Sequence, residues 1–289
     1  MRPRRVALLT LVAMVAFAGN SLLTRAALRG SGIDAASFTA IRIVSGAVAL
    51  WLIVRLRNRP ASARSAGTWG SALALFAYAA AFSLAYLSLT AATGALLLFG
   101  AVQVTMITAG LIGGERLSAA QALGHALAFA GLVGMLLPGL SAPPIGGALL
   151  MVLAGVAWGL YSLRGRSAVA GGSDPTVLTA GNFILAVPLA LGLVAVAWAL
   201  TTGLNVDVAG VGLAVASGAV TSGVGYAIWY AALTGLTATT AATVQLSVPV
   251  ITAVAGVSLL GESLTLRLVL ASAGVLGGIA LVIQARRSD

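Results

Sequence analysis

The feature that most constrains this chain is the lack of any polar stretch long enough to coat a soluble domain. From Val6 to Ile283, apolar runs follow one another, separated only by short gaps holding Arg, Gly and Pro. Hydrophobic residues make up 60% of the chain and charged residues 8%, with a mean hydropathy of +1.07. A soluble fold of this length would need a polar exterior, so lipid is the solvent for most of the surface. A membrane-crossing helix takes roughly 20 apolar residues. Runs of that length lie at Val6–Thr24, Ala35–Leu56, Thr68–Leu87, Ala91–Leu111 and Ala119–Leu137, then at Ile145–Leu163, Pro175–Leu200, Val208–Tyr230, Ala238–Leu260 and Leu266–Ile283. The expected fold class is an all-α membrane protein of about ten transmembrane helices, with no room for a soluble catalytic domain.

The opening Met1-Arg-Pro-Arg-Arg and the apolar run after it have the outline of a secretory signal. The run continues to Thr24 and has a counterpart later in the chain, so it is read as the first span. A formal net charge of +10 would suggest a nucleic-acid partner in a soluble protein. Here the basic residues, all arginines, sit in the gaps between apolar runs and act as topology signals, so no nucleic-acid partner is expected. With the N-terminus in the cytoplasm, Arg2, Arg4, Arg5, Arg55, Arg57, Arg59, Arg64, Arg116, Arg164, Arg166, Arg286 and Arg287 are internal. Only Arg25, Arg29 and Arg267 are external, while Arg42 lies within a span. This bias puts both termini in the cytoplasm. No Cys and a single His exclude disulfides, thiolate metal sites and a credible zinc or haem site, so no metal or cofactor is expected.

The chain also repeats itself. Ala16-Phe-Ala-Gly-Asn-Ser-Leu-Leu-Thr-Arg25 aligns without gaps on Ala157-Trp-Gly-Leu-Tyr-Ser-Leu-Arg-Gly-Arg166, Thr39-Ala40 on Thr179-Ala180, and Gly114-Glu115 on Gly261-Glu262. The expected organisation is a first five-helix repeat over residues 1–140 and a second over 141–289. An odd number of spans per repeat inverts the second copy, placing Glu115 inside and Glu262 outside. Inverted repeats recur in secondary transporters because exchanging the conformations of two related halves turns an outward-open state into an inward-open one.

With these motifs in place, the chain resembles the drug/metabolite transporter superfamily, specifically its EamA-like ten-helix permeases. The resemblance is carried by Phe38-Thr-Ala-Ile-Arg42, Ala157-Trp158-Gly159, Pro249 and the paired Gly-Glu turns. Leu96-Leu-Leu-Phe99-Gly-Ala-Val-Gln103-Val-Thr-Met106 and Gly19-Asn20-Ser21 are similar to the amino-acid exporters of the YddG type. The resemblance implies an outward-directed carrier of aromatic or neutral amino acids in a bacterial cytoplasmic (inner) membrane, with a cavity between its halves. One departure is Val102, which stands in the fourth span where the family usually has a proline opposite Pro249.

Polar groups in mid-span are costly unless partnered, so they are the first candidates for a site. Asn20, Gln103 and Gln245 qualify, and the two glutamine amides, at comparable depths, suit a zwitterion. The alternative reading of each amide is ordinary interhelical glue. Aromatic candidates are Tyr78, Phe82 and Tyr86, which share one helix face by their spacing, with Phe99, Trp158, Tyr226 and Trp229; Tyr230 is expected in the interfacial belt. Arg42 needs a partner or water in a span, and Glu115 and Glu262 are expected at helix ends, in structural or gating roles. Pro188 and Pro249 are the expected kinks, and His125 is expected to be a packed, hydrogen-bonded histidine.

These residues predict a monomer that moves a small molecule by alternating access, with lipid as its other partner. No buried carboxylate relay is evident, so uniport and proton-coupled antiport both stay open. A membrane enzyme lacks the nucleophile, base or metal cluster it would need. A non-transporting assembly or receptor subunit would show densely packed halves without a polar crevice.

Overall fold

The computed structural model describes residues 3–57, 67–112, 118–137, 142–201, 203–233, 235–236, 244–245 and 247–288. Among these residues the secondary structure is helical, without strands. The helices are α1 (Pro3–Gly30), α2 (Ala35–Leu56), α3 (Trp69–Tyr86), α4 (Ala91–Ile112), α5 (Ala119–Leu136), α6 (Ile145–Ala170), α7 (Pro175–Leu200), α8 (Val208–Leu233), α9 (Ser247–Leu260) and α10 (Leu266–Ser288). Seven of them, α1 to α4 and α6 to α8, are long and apolar enough to cross a membrane.

Helix starts follow local chemistry. Asp34 accepts from the Ser37 amide at 2.8 Å, Thr68 from Ser71, Asp207 from Gly210, and Asp174 caps α7 ahead of Pro175. Ser118 and Gln121 form a reciprocal capping box at the start of α5. Each cap satisfies amides that have no partner within the helix, which matters most beside lipid. The outer faces are apolar: Leu8, Leu11, Leu191 and Trp198 are exposed, as expected where the neighbouring medium is hydrocarbon.

Two differences from the sequence expectation bear on the site. Helix α1 runs well past Thr24, to Gly30, which brings Arg25 into a helix facing the bundle. Within α8, residues Ala216–Val224 form a π-helix, which the apolar pattern gave no reason to expect. Glycines set the close crossings. A Cβ on Gly278 would lie 2.4 Å from the Gly124 carbonyl oxygen, and one on Gly155 would lie 2.6 Å from that of Leu98, so α10 meets α5 and α6 meets α4 almost backbone to backbone. Pro188 lies inside α7, and Pro249 lies in α9.

Candidate functional site

The site begins on α1, where Phe17, Asn20 and Ser21 share a face. Asn20 is buried, and its side chain is fully engaged: Nδ2 donates to the Tyr78 hydroxyl at 3.0 Å, while Oδ1 accepts from Ser217 at 2.7 Å and Thr221 at 3.3 Å. Tyr78 comes from α3, and Ser217 and Thr221 come from the π segment of α8. The wider turn of a π-helix explains why that segment serves. Ser217 and Thr221, four apart, would share a face of an α-helix too, but the i→i+5 periodicity of the π turn brings Ser222 onto that face as well.

Arg42 of α2 enters the same network from the other side. It is 2% exposed. Its Nε donates to Ser222 Oγ at 3.1 Å, and Nη2 donates to the hydroxyls of Tyr78 at 3.0 Å and Tyr226 at 3.4 Å. The guanidinium carbon lies 5.1 Å from the Tyr78 ring centre and 5.0 Å from that of Phe82, within cation–π range. This close approach depends on Gly218, whose added Cβ would sit 2.1 Å from both the Arg42 carbonyl oxygen and Ser45 Oγ.

Aromatic rings close the centre. Trp158 packs on Tyr226 at 4.7 Å and on Tyr78 at 4.9 Å, and Phe17 meets Trp158, Tyr226 and Trp229 edge-on at 5.7–6.1 Å. Between them lies a cavity of about 10 Å³, lined by Phe17, Asn20, Tyr78, Phe99, Trp158 and Tyr226, among others. That volume holds roughly one water molecule. The rings are therefore closed on one another, and an amino-acid-sized molecule would have to part them.

Of the residues singled out in the sequence, Asn20, Tyr78, Phe82, Phe99, Trp158 and Tyr226 line this one cavity. Tyr86 is one layer out, edge-on to Phe82 at 4.8 Å, and Trp229 is reached through Phe17. Gln103 and Gln245 are buried but are not among the lining residues. Tyr230 is not in an interfacial belt: it is buried, with its hydroxyl against the notch left by Gly165 on α6. His125 is half-buried, with Nδ1 2.5 Å from the Gln121 carbonyl. Glu115 lies outside the described residues. Ser217, Thr221 and Ser222 were not singled out; the one signal available was the run of small hydroxyl and glycine residues from Ala216 to Gly225.

A second polar cluster lies at one end of the bundle. Gly261 turns the chain after α9 with φ 65°, and the Glu262 carboxylate reaches the first amide of α4, Ala91, at 3.0 and 2.8 Å. Arg25 Nε donates to the same carboxylate at 3.1 Å while Nη1 donates to the Tyr86 carbonyl at 3.0 Å. The anion thus sits at a helix N-terminus, where the helix dipole favours it, and also holds a cation from α1.

Comparison with known proteins gives the chain its kin. Residues 145–284 match the EamA-like transporter family. An uncharacterized protein of Pseudomonas aeruginosa is 57% identical over 286 residues, covering 99% of this chain and 97% of that protein. A protein of known crystal structure shares the fold at TM-score 0.67, with 20% identity over 98% of this chain and 99% of that one. Family match, long apolar helices and a polar centre drawn from helices distant in sequence agree: this chain is a multi-pass membrane protein of the EamA-like transporter family.

Proposed function

We propose that the protein is a secondary transporter that exports small metabolites, namely aromatic or neutral amino acids, across a bacterial cytoplasmic membrane. Its ten spans act as two inverted halves, residues 1–140 and 141–289, that rock about the central cavity. The observation that carries this reading is the composition of the cavity wall. Phe17, Asn20, Tyr78 and Phe99 come from the first half, and Trp158 and Tyr226 from the second. A site whose two walls belong to different halves changes its exposure when the halves tilt.

The packing supports the two-half reading. Helix α3 packs on α6 as α8 packs on α1, α4 meets α6 as α9 meets α1, and α2 meets α8 as α7 meets α3. Helices α2 and α7, α4 and α9, and α5 and α10 pair directly. Each of these pairs maps onto another of them, or onto itself, when each helix is exchanged for the one five places on, as a two-fold relation between repeats requires. The Arg25–Glu262 pair would close one face of the carrier, the external one under the topology argued from the arginines.

The smallness of the cavity favours a rival, a non-transporting assembly or receptor subunit with packed halves. Flux separates the two. Purified protein in liposomes should move at least one amino acid saturably, and failure to move any amino acid or related metabolite would remove the carrier reading. Trp158→Ala is expected to lower that flux at least about tenfold, because its ring contacts with Phe17, Tyr78 and Tyr226, worth roughly 0.5–1.5 kcal/mol each, are lost from the wall the substrate touches. Unchanged flux at equal protein level would take Trp158 out of the site.

A further inference from the structure

The polar centre holds a positive charge that no described residue neutralises. A guanidinium stays protonated throughout the physiological range, and the hydrogen-bond partners of Arg42 are the neutral hydroxyls of Ser222, Tyr78 and Tyr226. Its Nη1 is buried and has no partner among the described residues. Among those residues the ion pair is Arg25–Glu262, and the carboxylates of Asp34, Asp174 and Asp207 cap helix starts. A buried cation without an anion is costly in a low-dielectric interior and marks a functional site by default.

The neighbouring groups are biased the same way. The Tyr78 oxygen already accepts from Arg42 Nη2 and Asn20 Nδ2, and the Tyr226 hydroxyl donates toward it from 3.4 Å, which leaves the Tyr78 proton for a group in the cavity. The Asn20 oxygen is taken up by Ser217 and Thr221, so it has little left to offer an ammonium. Ser21 also lines the cavity, and its Oγ, close to the Tyr86 hydroxyl, makes no full hydrogen bond. The centre therefore offers donors and one cation, walled by apolar rings, and no carboxylate to receive a positive group.

On the carrier reading above, we propose that the site takes an organic anion. A carboxylate docks on Arg42 and the hydroxyls of Tyr78 and Ser21, the aromatic or apolar body lies against Trp158 and Phe99, and an α-ammonium is dispensable. Arg42 stands behind Tyr78 and Phe82, so parting these rings to admit the substrate also uncovers its free Nη1. The incoming carboxylate supplies the counter-charge that the closed protein lacks.

Three probes with one body separate the charges: 3-phenylpropanoate, an anion; phenylalanine, a zwitterion; and phenethylamine, a cation. Thermal unfolding of the purified protein in detergent reads binding without requiring flux. Stabilisation is expected from both carboxylates, at concentrations at least about tenfold below any effect of phenethylamine. Arg42→Gln should abolish the carboxylate shifts, and Arg42→Lys, which keeps the charge but not the fork, should retain part of them. Because the variant removes an unmatched charge, unliganded Arg42→Gln should melt no lower than wild type. Equal stabilisation by phenethylamine, stabilisation by none of the three, or an Arg42→Gln protein that melts well below wild type yet still responds to carboxylates would each overturn the assignment. If carboxylates bind but none crosses a liposome membrane, the anion site stands and the carrier reading falls. If amine and carboxylates cross alike in wild type and in Arg42→Gln, the carrier stands and the anion site falls.

Discussion

Glu262→Ala is expected to lower the unfolding free energy by about 3–5 kcal/mol, the usual cost of removing one partner from a largely buried ion pair. Arg25 and Glu262 are only 12% and 10% exposed, so little water is at hand to replace the lost carboxylate. The substitution strands Arg25 Nε and leaves the Ala91 amide at the start of α4 without its acceptor. It also releases four segments from one another: α1 through Arg25, the end of α3 through the Tyr86 carbonyl, the start of α4, and the α9–α10 turn. A fall in melting temperature of the detergent-solubilised protein reads the effect. The double variant Arg25→Leu/Glu262→Leu should recover part of the loss, since an apolar pair leaves no buried charge unmatched. A Glu262→Ala protein within about 1 kcal/mol of wild type would reduce the contact to a weak surface pair.

Much of the architecture was legible because lipid imposes simple rules. Apolar length and arginine placement marked the helices, and the spacing of Tyr78, Phe82 and Tyr86 marked the face of α3 that turns inward. Asn20 and Arg42 stood out because a polar group in a span needs a partner. What depth in a span does not give is how far along and around the bundle a residue lies. Gln103 is one turn, about 6 Å, along α4 from Phe99, and that step is enough to leave it off the cavity lining. Tyr230 read as a belt residue because its position near a helix end is visible and the notch at Gly165 is not. The Arg25–Glu262 pair joins residues 237 positions apart, and in sequence Arg25 counted only as a topology signal. Ser217, Thr221 and Ser222 were hidden most deeply. Small hydroxyl residues in a span ordinarily mean close helix packing, and only the π turn brings Ser222 onto the face of Ser217 and Thr221, between Asn20 and Arg42.

That π turn stands or falls with Gly218, and two glycine substitutions of identical chemistry should therefore give opposite results. Alanine is favoured over glycine in a helix by roughly 1 kcal/mol when nothing else intervenes. Gly192 on α7 has no atom within 4 Å of its would-be Cβ, so Gly192→Ala should stabilise the protein by up to about that amount. At Gly218 the same methyl meets the Arg42 carbonyl and Ser45 Oγ at 2.1 Å, well inside contact distance, and one of these is α2 backbone that can yield only by moving the helix. Gly218→Ala is accordingly expected to cost about 3 kcal/mol or more, at the upper end for overpacking, because α2 and α8 must separate where their backbones now touch. Separation would also pull Arg42 from Ser222 and Tyr226, and Ser217 and Thr221 from Asn20, so ligand-induced stabilisation and flux should be lost even in the protein that still folds. Melting curves of the two variants with and without a carboxylate probe read both effects together. Equal melting temperatures for Gly218→Ala and Gly192→Ala would mean that α2 and α8 do not meet at this point and that the polar centre is not held by their contact.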